Sequence, residues 1–149
     1  MTSPTNRKGN QALSAVVLGL SKRGYEVYLP FGDGTSTDLV VDIDTKLIRV
    51  QVKTARAKDG VIVFRCYSFS PNSPGRRQAR TYVGKADLFA VCNQAIGKCY
   101  IVPVNDAPSF TMSLRLQPAE NNQDIGIKWA KDYELETFDF PGFVRNITR

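Results

Sequence analysis

The sequence predicts a single α/β domain over residues 1–149, a mixed β-sheet flanked by helices. Three observations lead there. One stretch near the N-terminus places apolar residues at helical spacing, and several short runs alternate or are continuously apolar as strands are. The length of 149 residues suits one core and not two. With 42% hydrophobic and 23% charged residues, the composition is that of a folded chain.

The elements follow in order. Pro4 and Asn6 read as a ragged lead-in or a helix cap. From Lys8 to Arg23, Ala12, Leu13, Val16, Val17 and Leu20 form an i, i+3, i+4, i+7 stripe, and Gly24 ends that helix. "YEVYLP" reads as a first strand ending at Pro30, and "FGDGTST" is a loop of turn residues. "DLVVDI" and "LIRVQVKT" form a hairpin around the turn Asp44-Thr45. After a turn at Lys58-Asp59-Gly60, "GVIVFRCYSF" is a fourth strand. The run from Ser70 to Lys85 is a long loop with almost no large apolar residue, of the kind that carries function. "ADLFAVC" and "KCYIVPV", joined by a turn from Asn93 to Gly97, are apolar on both faces and suit central strands. "FTMSLRLQP" reads as a further strand, and "IGIKWAKDYELETF" as a last strand or a short helix.

Composition narrows the chemistry. Twenty Lys and Arg against fourteen Asp and Glu give a net charge of +6, which suits a polyanion, nucleic acid first. Apolar runs such as "VIVF" are far shorter than the roughly 20 residues a membrane crossing needs, and "MTSPTNRKGN" has no apolar export signal. A soluble cytoplasmic protein without a membrane partner is expected. The chain contains no histidine, so an imidazole base, a Ser-His or Cys-His pair and a His-ligated metal are all excluded. Cys66, Cys92 and Cys99 form no Cys-x-x-Cys pair, and three buried reduced thiols are expected. A catalytic metal would need oxygen ligands, which points to Mg²⁺ or Mn²⁺.

Three residues could supply that chemistry. Gln51 and Lys53 are two apart and project from one face of a strand, with Ile48, Val50 and Val52 making the core on the other. The hairpin brings Asp38 within reach of that pair. A carboxylate with a neighbouring oxygen ligand can hold a hard divalent cation, and Lys53 adds positive charge beside a phosphate or nucleophile. The same spacing also describes an edge hairpin whose polar residues merely face water.

The run "LPFGDGTSTDLVVDIDTKLIRVQVKTA" resembles the group I intron-associated homing endonucleases built on the PD-(D/E)XK (restriction-endonuclease-like) core, in which Gln-x-Lys, here Gln51-Val52-Lys53, often replaces the acidic form of the motif. The resemblance continues through "KG" at Lys8, "RGYEV" at Arg23, "ADLFAV" at Ala86, "YIVPV" at Tyr100 and "IKWAKDYE" at Ile127. It implies that Asp38 binds metal, that Gln51 is a ligand or positions water, that Lys53 is the catalytic lysine, and that the Val52 carbonyl adds a backbone ligand. The site is expected at one edge of the sheet. Thr37 stands where the family has a proline, and Leu13 where many members carry a glutamate. Leucine cannot bind metal, which leaves Asn10 or Gln11 as neutral substitutes and an impaired enzyme as a live alternative.

Residues 46–58 hold Lys46, Arg49, Lys53, Arg56 and Lys58 without an acid, and residues 76–85 hold Arg76, Arg77, Arg80 and Lys85 without one. These blocks are expected to contact phosphates, with the loop arginines able to reach base edges. Asp87 is expected to orient a neighbour. The reading is a Mg²⁺-dependent, site-specific endonuclease on double-stranded DNA, a homodimer or homotetramer because each chain has one active site. Its rivals are a junction-resolving endonuclease of the same fold, a DNA-binding protein that has lost the chemistry, and a structural protein.

Overall fold

The computed structural model describes residues 1–69, 79–118, 121 and 125–147. Among them the elements are α1 (Pro4–Lys22), β1 (Glu26–Tyr28), β2 (Leu39–Ile43), β3 (Lys46–Thr54), β4 (Arg56–Lys58), β5 (Val61–Arg65), β6 (Tyr67–Phe69), β7 (Ala79–Thr81), β8 (Leu88–Asn93), β9 (Lys98–Pro103), β10 (Thr111–Arg115) and α2 (Phe140–Ile147). Short 3-10 turns occupy Val104–Asp106 and Ala130–Tyr133.

Helix α1 begins at Pro4 and not at Lys8, because Ser3 caps it: the Ser3 hydroxyl accepts from the Asn6 N–H at 3.2 Å, and Pro4 occupies the first turn, where its missing N–H costs nothing. Gly24, at φ 85°, closes the other end, its N–H donating to the Ser21 carbonyl at 2.9 Å. Ala12, Val16 and Leu20, one turn apart, are the buried face.

A five-stranded sheet runs β1-β2-β3-β8-β9, with β3 and β8 parallel and the other neighbours antiparallel. Asp44 and Thr45, at φ 51° and 70°, form the two-residue turn that joins β2 to β3. Asp59 and Gly60 do the same between β4 and β5. One face of the sheet packs Leu39, Val41, Val50, Leu88 and Ala90 against α1 and against Phe140 and Val144 of α2.

The other face is not covered by a helix, as the sequence led us to expect. It is covered by a second, three-stranded sheet of order β10-β5-β4. Phe89, Val91, Tyr100 and Val102 meet Ile62, Phe64, Met112 and Leu114 across this second core. The alternating strands β5 and β10 bury every other residue there, which is how a sheet with one wet face packs. The fourth predicted strand is broken at Cys66 into β5 and β6, and β6 pairs with β7, so the expected loop 70–85 includes one strand of a ribbon. Helix α2 had no counterpart in the sequence reading.

The cysteines also depart from expectation. Cys92 and Cys99 face each other directly across β8 and β9 and form a disulfide. The turn between them sets the register that opposes them, a relation that Cys-x-x-Cys spacing does not capture. Cys66 is the buried free thiol that was expected, and burial pushes its pKa up to about 11 against the opposing charge of Lys53.

Candidate active site

Strand β3 is the middle strand of the larger sheet, so the predicted residues lie at its centre and not at an edge. Ile48 and Val50 are buried against α1 with Val52 packed beside them. The alternate residues Arg49, Gln51 and Lys53 therefore point to the other face. There Gln51 lies level with Phe89, and Lys53 with Val91 of the second core.

Asp38 sits one residue before β2 and is tied to β3 twice. Its N–H donates to the Val50 carbonyl at 2.9 Å, and its Oδ2 accepts from the Val52 N–H at 2.7 Å. Burial raises its pKa above the ordinary carboxylate value, opposed by the Val52 N–H and by the charge of Lys53. Asp38, Gln51 and Val52 line one cavity of about 410 Å³, closed on its far side by Asn6, Asn10 and Leu13 of α1. Leu13 thus lines the same cavity as Asp38. Asn10 lines the cavity and Gln11 does not.

The Oε1 of Gln51 is buried and has no hydrogen-bond partner. A buried carbonyl oxygen left unpaired costs about 1–3 kcal/mol, and Gln51 is among the residues that line the cavity with Asp38. The donor set of one carboxylate, one amide oxygen and one backbone carbonyl is all oxygen, which fits a hard divalent cation. It is weak in charge: among the described residues no group of three or more His, Cys, Asp or Glu is gathered to hold a metal.

Lys53 lies beside this cavity and not in its wall. Its Nζ donates to the Tyr67 carbonyl at 3.2 Å and to the Tyr82 hydroxyl at 3.0 Å. Tyr67 opens β6, and Tyr82 follows β7, so the ribbon is anchored on the lysine. Neither tyrosine was singled out from the sequence. Tyr82 follows the arginine-rich run, but nothing local shows that the chain returns there to β3.

The predicted DNA-contacting residues fall into three situations. Arg56 and Lys58 on β4, Arg80 on β7 and Lys85 are exposed. Arg49 is engaged by Asp87, whose carboxylate accepts from Arg49 Nε at 3.2 Å and Nη2 at 3.1 Å, while Nη1 donates to the Gly84 carbonyl at 3.1 Å. Asp87 also accepts the Arg49 backbone N–H at 2.8 Å, so it orients its neighbour as expected. Arg76 and Arg77 lie outside the described residues. None of the acidic residues Asp132, Glu134, Glu136 and Asp139 lines the Asp38 cavity.

No curated protein matches the chain. Among solved structures it is similar to one described as a bacterial homing endonuclease, I-Ssp6803I, with a TM-score of 0.68, 22% identity and 100% of both chains covered. At that identity the likeness bears on the fold, which it matches end to end. No helix among the described residues is long and apolar enough to cross a membrane. The family model for the PD-(D/E)XK endonucleases matches residues 3–136, a span from the cap of α1 through the site to the segment after the second 3-10 turn, and the chain belongs to that family.

Proposed function

We propose that this chain is a homing endonuclease that cleaves double-stranded DNA at a specific site with Mg²⁺, or Mn²⁺ in its place. The observation that carries the metal reading is the orphaned Oε1 of Gln51, a residue that lines one cavity with Asp38. Asp38, Gln51 Oε1 and the Val52 carbonyl would hold the cation, which when bound polarises the scissile phosphate and makes water more acidic.

The chain's own groups do the rest. Lys53, steadied by the Tyr67 carbonyl and the Tyr82 hydroxyl, places a positive charge where negative charge grows on the phosphate. The β6–β7 ribbon is anchored on that lysine and bears Arg80, a form suited to entering a major groove, and Arg76 and Arg77 fall between its two strands in the sequence. Arg56, Lys58 and Lys85 supply phosphate contacts that fix the register on the duplex. Arg49, held by Asp87, adds to that positive surface with its remaining donors. One active site per chain makes double-strand cleavage the work of a homodimer or homotetramer in the cytoplasm, and the gene is expected within a group I intron.

Genomic DNA lacking the intron, digested with Mg²⁺ or Mn²⁺ and sequenced at every new end, tests the proposal. Ends accumulating at one site, and absent with Lys53→Ala, are expected. Preference for branched over linear duplex would identify a junction-resolving enzyme instead. Leu13 in the cavity wall favours a second reading, a DNA-binding protein of this fold without cleavage. Tight binding with no ends at any Mg²⁺ or Mn²⁺ concentration would select it.

A further inference from the structure

We propose that Asp33 supplies a second carboxylate to the metal site, an inference that rests on the metal-dependent reading above and deepens it. Asp38 and Leu13 are shared by two cavities. One is the cavity of Gln51 and Val52, and the other, of about 270 Å³, is lined by Asp33, Thr35 and Thr37 from the loop that leads into β2. Asp38 thus adjoins both Gln51 and the exposed Asp33 through the two cavities that it lines. No Lys or Arg is among the residues lining the second cavity, so Asp33 has no cation of the chain's own there.

The loop holds Asp33 at the surface between two glycines. Gly32 and Gly34 on either side lie at φ 96° and 83°, a region that side-chain-bearing residues enter only under strain. An added Cβ on either glycine would meet nothing within 4 Å, so packing does not demand glycine there and the backbone conformation does. An aspartate in a turn ordinarily bonds the backbone two residues on. The Asp33 carboxylate makes no hydrogen bond or ion pair among the described residues, and that local role is taken by Thr35, whose hydroxyl donates to the Thr37 carbonyl at 2.6 Å. Divalent-cation affinity rises with the number of charged oxygen ligands. Asp38 alone, with Lys53 close by, gives a site with no net negative charge, and Asp33 changes that sign.

The test is a titration of the full chain with Mn²⁺ without DNA, followed by electron paramagnetic resonance of free Mn²⁺. Wild type, Asp33→Asn and Asp44→Asn are compared, the last at the opposite end of β2. Asp33→Asn is expected to weaken Mn²⁺ binding about ten-fold or more and to reduce the Mn²⁺-induced rise in melting temperature, with metal-free melting unchanged; Asp44→Asn does neither. Asp33→Asn binding Mn²⁺ as tightly as wild type, in a wild type that cleaves DNA, overturns the role of Asp33 alone. Wild type that neither binds Mn²⁺ nor cleaves overturns both this inference and the metal-dependent reading.

Discussion

The Asp38 carboxylate accepts a hydrogen bond from the backbone N–H of Val52 at 2.7 Å, which locks the candidate metal ligand onto the strand that carries Gln51 and Lys53. Asparagine keeps an oxygen for that bond and loses the charge. Asp38→Asn should fold normally and cleave DNA on the order of 10²–10³-fold more slowly in single turnover, the usual loss when one preorganised electrostatic group is removed. Activity within a few-fold of wild type would remove Asp38 from the chemistry.

The same group links stability to pH. Burial raises the pKa of Asp38 above its ordinary 3.8, so between that value and the folded-state value the native chain holds more proton than the unfolded chain. Ionising Asp38 therefore opposes folding; this penalty is absent below 3.8 and fully present above the folded-state pKa. Without metal, the melting temperature of Asp38→Asn relative to wild type should be higher at neutral pH than at pH about 3. A difference that does not change with pH would contradict the burial of this carboxylate.

Tyr82 holds Lys53 through its hydroxyl at 3.0 Å and presents its ring 4.4 Å from the same ammonium. Tyr82→Phe keeps the ring and removes the hydrogen bond, worth about 1 kcal/mol. Cleavage should slow about five-fold in the single-turnover rate with DNA affinity unchanged, which separates orientation of the lysine from binding. An equal loss in both would make Tyr82 part of the DNA surface.

What was legible in the sequence was local periodicity. The stripe Ala12, Val16, Leu20 and the alternation through Val50 and Lys53 each report one face of one element, and the Asp-Gly turn at Asp59 reports its own geometry. The family motif placed Asp38, Gln51 and Leu13 around one cavity because their spacing is set by a single helix and hairpin. What was not legible depends on distant pairing: the second sheet over Phe89, the anchoring of Lys53 by Tyr67 and Tyr82, and the meeting of Cys92 with Cys99. Helix α2 is a different case. Phe140, Phe143, Val144 and Ile147 carry a helical stripe, but Pro141 and Gly142 resemble a breaker, although proline is well tolerated in a first turn.

Asp87 joins the parallel strands at their start, its N–H donating to the Arg49 carbonyl at 2.9 Å while its carboxylate takes the Arg49 N–H. Asp87→Ala leaves that backbone donor and the guanidinium without their acceptor. A loss of about 1–3 kcal/mol in denaturant unfolding is expected, with the half-exposed guanidinium contributing the smaller part. Unfolding unchanged within about 0.5 kcal/mol would show that the pair only decorates the surface.

The Cys92–Cys99 disulfide closes a short loop and leaves Cys66 as the free thiol. Alkylation of the unfolded chain followed by mass measurement should add one group without reductant and three after reduction. On loop-closure entropy the bond contributes about 2–3 kcal/mol, so reduction should lower the melting temperature. Three groups added without reductant would leave the pair as thiols.

Leu13 sits in the walls of both cavities that meet at Asp38, which makes it the position from which a new side chain reaches the site most directly. Leu13→Glu adds a carboxylate to both cavities that Asp38 lines. Coulomb attraction to a divalent cation should tighten Mn²⁺ binding about ten-fold and raise the cleavage rate, at some loss of metal-free stability from burying an acid beside Asp38. That loss should be recovered on adding Mn²⁺, because a bound cation stabilises only the folded chain. Destabilisation that Mn²⁺ fails to reverse, with affinity unchanged, would remove Leu13 from the metal site and leave it only its packing against the core.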